Sequence, residues 1–170
     1  MPALFHFSED PGLTEFKPRA PIELPEVEPM VWAIDAWHAP MYYFPRDCPR
    51  ACFWPSLRTT VADRDRWFAG VDAKMVIAVE SAWLERIRAT ALYRYTMAPE
   101  GFVRHDETAG HWVCRDTVVP ASVEPVGDLL AALAEANVEL RVTPRLTGLW
   151  QFVIASTLAY SGTRLRNAEP

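Results

Sequence analysis

Ten of the chain's 15 prolines fall in its first 55 residues, at Pro2, Pro11, Pro18, Pro21, Pro25, Pro29, Pro40, Pro45, Pro49 and Pro55. Proline lacks a backbone N–H and clashes with the preceding turn of a helix, so this third of the chain cannot hold a long helix. Short strands and stiff loops are what it can form. The expected strands end near His6, run over Met30–Ile34 and run over Ala51–Trp54, with the SEDPG turn closing the first. Between them, residues 11–29 carry five prolines and six charged side chains and read as an extended surface excursion. Asp35 can cap a short helical turn that Pro40 limits.

The rest of the chain is more regular. Met75–Val79 reads as a buried strand, Ser81 as the cap of a short helix with Trp83 and Ile87 on one face, and Ala91–Met97 and His111–Arg115 as further strands. Val126, Leu129, Leu130 and Leu133 repeat at helical spacing over 125–136, with Pro125 at the first position. After a strand at Val138–Val142, Leu146, Leu149, Trp150, Val153, Ile154 and Leu158 predict a helix near 144–160 that stops by Gly162. The pattern is α+β: a twisted, mostly antiparallel sheet packed by a few helices, the two longest near the C-terminus.

At 170 residues the chain is expected to form one domain, and such a domain buries roughly 70% of its unfolded surface. A formal charge of −5 excludes the broad basic field of a non-specific nucleic-acid binder. Its three cysteines cannot all pair, no secretory hydrophobic region follows Met1, and no apolar run is long enough for a bilayer, so a reducing cytoplasm and no membrane are expected.

Chemistry is expected at LFHFSED (4–10), where His6 and Ser8 stand at the end of a strand and so at the rim of a sheet. An imidazole there can bond a sugar hydroxyl or act as acid or base, although a histidine satisfying a backbone carbonyl is the plain alternative. A second candidate is YYFPRDCPR (42–50): Tyr43 offers a ring face, as do Trp32, Trp37, Tyr42 and Trp54, and Arg46 and Arg50 flank Asp47. Stiffened by proline, the two guanidinium groups can fork a phosphate, or Asp47 can hold them in a structural ion pair. In GHWVC (110–114), alternation sends His111 and Trp112 to opposite faces, with His111 expected to be exposed rather than catalytic. The Cys48-x3-Cys52 spacing does not match a zinc knuckle, so no metal is expected; Cys48 or Cys114 as a hydrolase nucleophile is a third reading without a local signature. No GxxxxGK[ST], GxGxxG or GxSxG motif occurs.

Four segments, LFHFSED, VWAIDAWHAPMYYFPRDCPR, GHWVCRDTVVP and YSGTRLRNA, resemble a family of small uncharacterised bacterial proteins across nearly the whole chain. LFHFS, VWAIDAWHAPMYY and GHWVCRDTVVP also resemble, more faintly, the ADP-ribosyltransferase fold, including the RNA 2′-phosphotransferases, whose LYHGT-like first strand carries a ribose-holding histidine. This resemblance implies a split sheet, His6 on a ribose and NAD as cofactor. Phe7 stands where that motif has glycine, and 111–115 carries no glutamate. The expected function is binding of a nucleotide or phosphorylated small molecule near His6, with Ser8, Tyr43, Arg46 and Arg50 contributing, and group transfer as its chemistry. The competing reading is a non-enzymatic binding or interaction protein whose arginine cluster is structural.

Overall fold

A computed structural model of the chain describes residues 2–20 and 26–170. The strands are β1 (Leu4–Ser8), β2 (Val31–Asp35), β3 (Arg50–Trp54), β4 (Met75–Glu80), β5 (Tyr93–Met97), β6 (Val103–Asp106), β7 (His111–Cys114), β8 (Ser122–Pro125), β9 (Val138–Thr143) and β10 (Ala159–Thr163). The helices are α1 (Val61–Phe68), α2 (Leu84–Ala89), α3 (Leu129–Glu135) and α4 (Thr147–Ile154), with 3-10 turns at Ala39–Tyr42, Ser81–Trp83 and Leu165–Asn167. The class is α+β, as expected.

These elements form two compact units, and each is discontinuous in sequence: Met1–Tyr42 with Ala91–Gly127, and Tyr43–Thr90 with Asp128–Pro170. The first holds a six-stranded antiparallel sheet in the order β6-β7-β2-β1-β5-β8. Register puts Leu4 opposite Met97, His6 opposite Tyr95, and Ala33 opposite Trp112, so these side chains share one face. That face is the core: Leu4, Val31, Ala33, Tyr95 and Met97 are buried there under Leu13 and Phe16. The proline-rich excursion follows the expected course, making bridges Phe16 to Val118 and Arg19 to Met30; its 21–25 portion lies outside the described residues. Tyr95 ties it down, its hydroxyl donating to the Asp10 carbonyl at 2.7 Å and accepting from the Leu13 N–H at 3.1 Å.

The second unit holds a four-stranded sheet, β10-β3-β4-β9, antiparallel except for the β4–β9 pair. Every residue of β3 and β4 is buried, which is why MVIAVE carries no alternating polar positions. On one face Phe53 and Val76 pack with Phe68 of α1 and Val153 of α4. Glu80, at the end of β4, is fully buried, and its carboxylate accepts from the backbone N–H groups of Leu146 (3.0 Å) and Glu169 (3.1 Å).

Three helix expectations are corrected. Pro125 ends β8 instead of opening α3: Gly127 at φ +83 turns the chain, and the Asp128 carboxylate caps the helix by accepting from Leu130 N–H (2.9 Å) and Ala131 N–H (3.0 Å). Val126 therefore leaves the helical stripe, and its N–H bonds Leu92 O. The helix predicted near 144–160 ends at Ile154, because the Ser156 hydroxyl takes the Val153 carbonyl at 2.6 Å and 159–163 pairs with β3 as a strand; Ile154 itself is exposed. Helix α1 is as long as α4 and shows no apolar stripe, having only Phe68 buried; Thr60 opens it by accepting from Asp63 N–H.

Candidate functional site

Three of the chain's four histidines, His38, His105 and His111, gather at one end of the first sheet. β2 leaves the sheet at Asp35, whose N–H donates to the Gly110 carbonyl at 3.1 Å and so joins the β6–β7 hairpin turn. Asp35 then folds the next turn back on itself: its Oδ1 accepts the His38 backbone N–H at 3.0 Å and faces His38 Nδ1 at 2.8 Å. Burial pushes the Asp35 carboxyl up, but the hydrogen bonds from the His38 ring and backbone, the His38 charge and the Trp37 N–H outweigh it and hold it below the usual carboxylate range. An ionised carboxylate opposite Nδ1 requires a proton on that nitrogen, which puts the lone pair of a neutral His38 ring on Nε2.

Gly110 makes this approach feasible. It sits at φ +71, and a Cβ there would stand 2.2 Å from His38 Nδ1 and 2.8 Å from Asp35 Oδ2. A side chain at 110 would displace the pair.

The second half of the site comes from β7 and the 3-10 turn after His38. Tyr42, the last residue of that turn, places its hydroxyl 2.9 Å from His111 Nε2. Trp32 on β2 stands edge-on to both His105 (4.9 Å) and His111 (5.7 Å). Burial pushes the pKa of His111 down; Asp106 and Asp35 oppose this, and His105 and His38 reinforce it, so His111 is neutral at pH 7. The arrangement combines an imidazole oriented by a carboxylate with a neutral imidazole bonded to a phenol, and both can exchange protons. Contrary to the exposure expected of it, His111 is half-buried, and Trp112 is half-buried on the opposite face.

The residues expected from the sequence lie elsewhere. His6 is half-buried on the core face of β1, with the Phe16 ring tilted against it at 4.7 Å, and its Nδ1 donates to the Trp32 carbonyl at 2.9 Å. Ser8 shares that strand and accepts from Asp10 N–H at 3.1 Å. Tyr43, Arg46 and Arg50 belong to the second unit. There Arg50 is 3% exposed on β3, donates to the Cys48 carbonyl at 2.8 Å and lies over the Phe44 ring at 5.3 Å. Arg46 is exposed, and its carbonyl accepts from Arg164 Nε at 3.3 Å. Cys48, Cys52 and Cys114 are buried, and burial pushes the Cys48 and Cys52 thiols up to about 12. Among the described residues no three His, Cys, Asp or Glu side chains are grouped to hold a metal ion, and no helix is long and apolar enough to cross a membrane.

The sequence did not single out His38 or His105, and it offered Tyr42 only as a ring face, not as a partner of His111. The local signal is Asp35-x-x-His38, in which a capping carboxylate and a ring lie within one turn. The Tyr42–His111 contact joins residues 69 apart and requires the β2–β7 pairing to be known.

No curated protein and no solved structure matches the chain. The family comparison supports the first of the two resemblances and brings no ADP-ribosyltransferase with it. Residues 5–168 match the model of a family of unknown function, DUF6886, and the chain belongs to that family.

Proposed function

We propose that this protein binds a small molecule, in the first place a nucleotide or other phosphorylated compound, and moves a proton on it through the imidazoles of the first unit. The observation that carries this reading is the carboxylate-held ring: Asp35 fixes the tautomer and orientation of His38, which is the arrangement that makes an imidazole an effective general base. Neutral His111, bonded to the Tyr42 hydroxyl, supports a second proton-exchanging group beside it. Within the same unit His6 is also offered as a donor, its bond to the Trp32 carbonyl fixing the proton on one ring nitrogen. Group transfer from NAD or at a ribose phosphate is the reaction class proposed, since such transfers need fixed donors and a positioned base. Burial keeps the Cys48 and Cys52 thiols protonated at neutral pH, and they are given no chemical role.

One observation favours the competing, non-enzymatic reading. Arg50 is buried and already committed to a backbone carbonyl and a ring face, which suits a structural arginine.

Thermal-shift measurements with NAD, ADP-ribose, nucleotides and sugar phosphates test the proposal, because a ligand at about 100 times its Kd stabilises by roughly 2.7 kcal/mol. A saturable shift, with conversion of the bound compound lost in His38→Gln and Asp35→Asn, is expected. No shift with any of these compounds overturns the ligand class; binding with conversion unaffected by both substitutions overturns the acid–base role.

A further inference from the structure

The two sheets have four edge strands among the described residues, β6, β8, β9 and β10. An edge strand offers unpaired N–H and C=O groups to any other chain, and folds guard such edges with charge, proline or a bulge. Three of the four are guarded in these ways. β6 carries Arg104 and Asp106 with a register shift between them, β8 carries Glu124 and ends on Pro125, and β9 carries Glu139 and Arg141. β10, with the sequence AYSGT, has no charge, no proline and no shift in its register against β3. Among the described residues its outer side meets no further strand.

The side chains of β10 are complementary to the same strand running the other way. Antiparallel pairing about Ser161 would set Tyr160 of one copy opposite Gly162 of the other, and both residues are exposed on the same face. Tyr160 is 41% exposed, with the Trp150 ring edge-on to it at 5.4 Å. The same Trp150 ring reaches over Gly162, where a Cβ would stand 2.9 Å from it. A second Tyr160 arriving beside Gly162 therefore meets Trp150, so that each Trp150 gains a second tyrosine neighbour and the bare glycine is covered by an aromatic ring. Charge permits the approach as well. Arg164, at φ 54°, follows Thr163 directly, and pairing centred on Ser161 holds the two Arg164 residues about 20 Å apart along the strands.

We propose that β10 is a dimer interface, pairing antiparallel with β10 of a second copy of this chain across a two-fold axis at Ser161. The second sheets of the two copies then run on as one, and the contact is isologous and closed. It uses none of the residues of the histidine cluster and stands independently of the proposed function. A five-residue edge buries less than the ~1,200 Å² of a standard stable interface, so the dimer dissociates on dilution.

Sedimentation velocity of the full chain from about 1 to 300 μM tests this. A reversible monomer–dimer equilibrium is expected, and hydrogen exchange is expected to show β10 amides gaining protection as concentration rises while those of β8 do not. Ser161→Lys places two like charges opposite each other on the axis and is expected to weaken the dimer at least tenfold; Tyr160→Lys is expected to do so comparably. Val123→Lys, on the β8 edge, is expected to leave the dimer unchanged. A monomer throughout the range overturns the proposal, as does a dimer that forms without added protection in β10. A dimer indifferent to both β10 substitutions, or weakened equally by Val123→Lys, overturns it too. Should Ser161→Lys not fold, the exposed Tyr160→Lys decides: a weakened dimer supports the interface and an unchanged one removes it.

Discussion

Acid is expected to destabilise this fold through His111 at a higher pH than through Asp35. The His111 pKa is lowered from 6.5 by burial, so between 6.5 and the lowered value the unfolded chain binds a proton that the folded chain refuses. Unfolded chains therefore hold more protons in that window, and stability rises with pH across it: the contribution is fully present above 6.5 and is lost as pH falls below it. Asp35 acts in the same direction further down, its contribution being present above 3.8 and lost as pH falls through its lowered folded value. Urea unfolding midpoints are expected to decline as pH is taken from 7 to 5. In His111→Gln that decline is flattened, while the loss below pH 4 persists because Asp35 still titrates. An unchanged slope in the variant would assign the decline to other groups.

At the level of single elements, β10 depends on a residue without a side chain. A Cβ at Gly162 would stand 2.5 Å from Leu165 Cδ1 and 2.9 Å from the Trp150 ring. Leucine's far end can turn aside, but the Trp150 ring is held edge-on by Tyr160 at 5.4 Å and cannot. Gly162→Ala is therefore expected to cost about 1–3 kcal/mol as an overpacked contact, seen as a lower urea midpoint at an unchanged m-value. The same glycine illustrates what could be read from the sequence and what could not. As a helix-stop signal after an apolar helical repeat it was reasonable, and α4 does form with Val153 at its core-facing position. Past Ile154 the structure departs from that signal: residues 159–163 form a strand because β3 offers an edge, and such tertiary pairing leaves no mark in a local window. Strands with plain apolar runs, such as β3 and β4, were legible for the opposite reason, since burial on both faces shows directly in composition. The exposed β6 and β8 carry no such signature.

Across the whole molecule, the segments that stand out in the sequence contain residues of the histidine cluster but do not reveal that those residues meet. Asp35, Tyr42 and His111 each stood inside segments recognised as unusual, yet their meeting depends on a strand order, β7-β2-β1, that only the folded sheet defines. The burial pattern makes an expectation about where stability is concentrated. β4 is bonded on both sides and buried at all six positions, whereas β6 and β8 are edge strands exposed throughout. Amide hydrogen exchange is expected to be slowest in β4, approaching the global unfolding rate, and fastest among the strands in β6 and β8. Protection of β8 equal to that of β4 would count against this ordering.

The interleaving of the two units also sets an order of assembly during synthesis. All six strands of the first sheet have been made once residue 125 has left the ribosome, while β4 still lacks β9, and β3 still lacks β10. Until residues 138–143 are made, the apolar strand β4 presents an open hydrogen-bonding edge, while every strand of the other unit already exists. Such an edge is a template for pairing with other nascent chains. The parallel β4–β9 pair thus makes the synthesis of residues 126–143 an interval of exposure to aggregation, and one in which a chaperone holding β4 would do the most good.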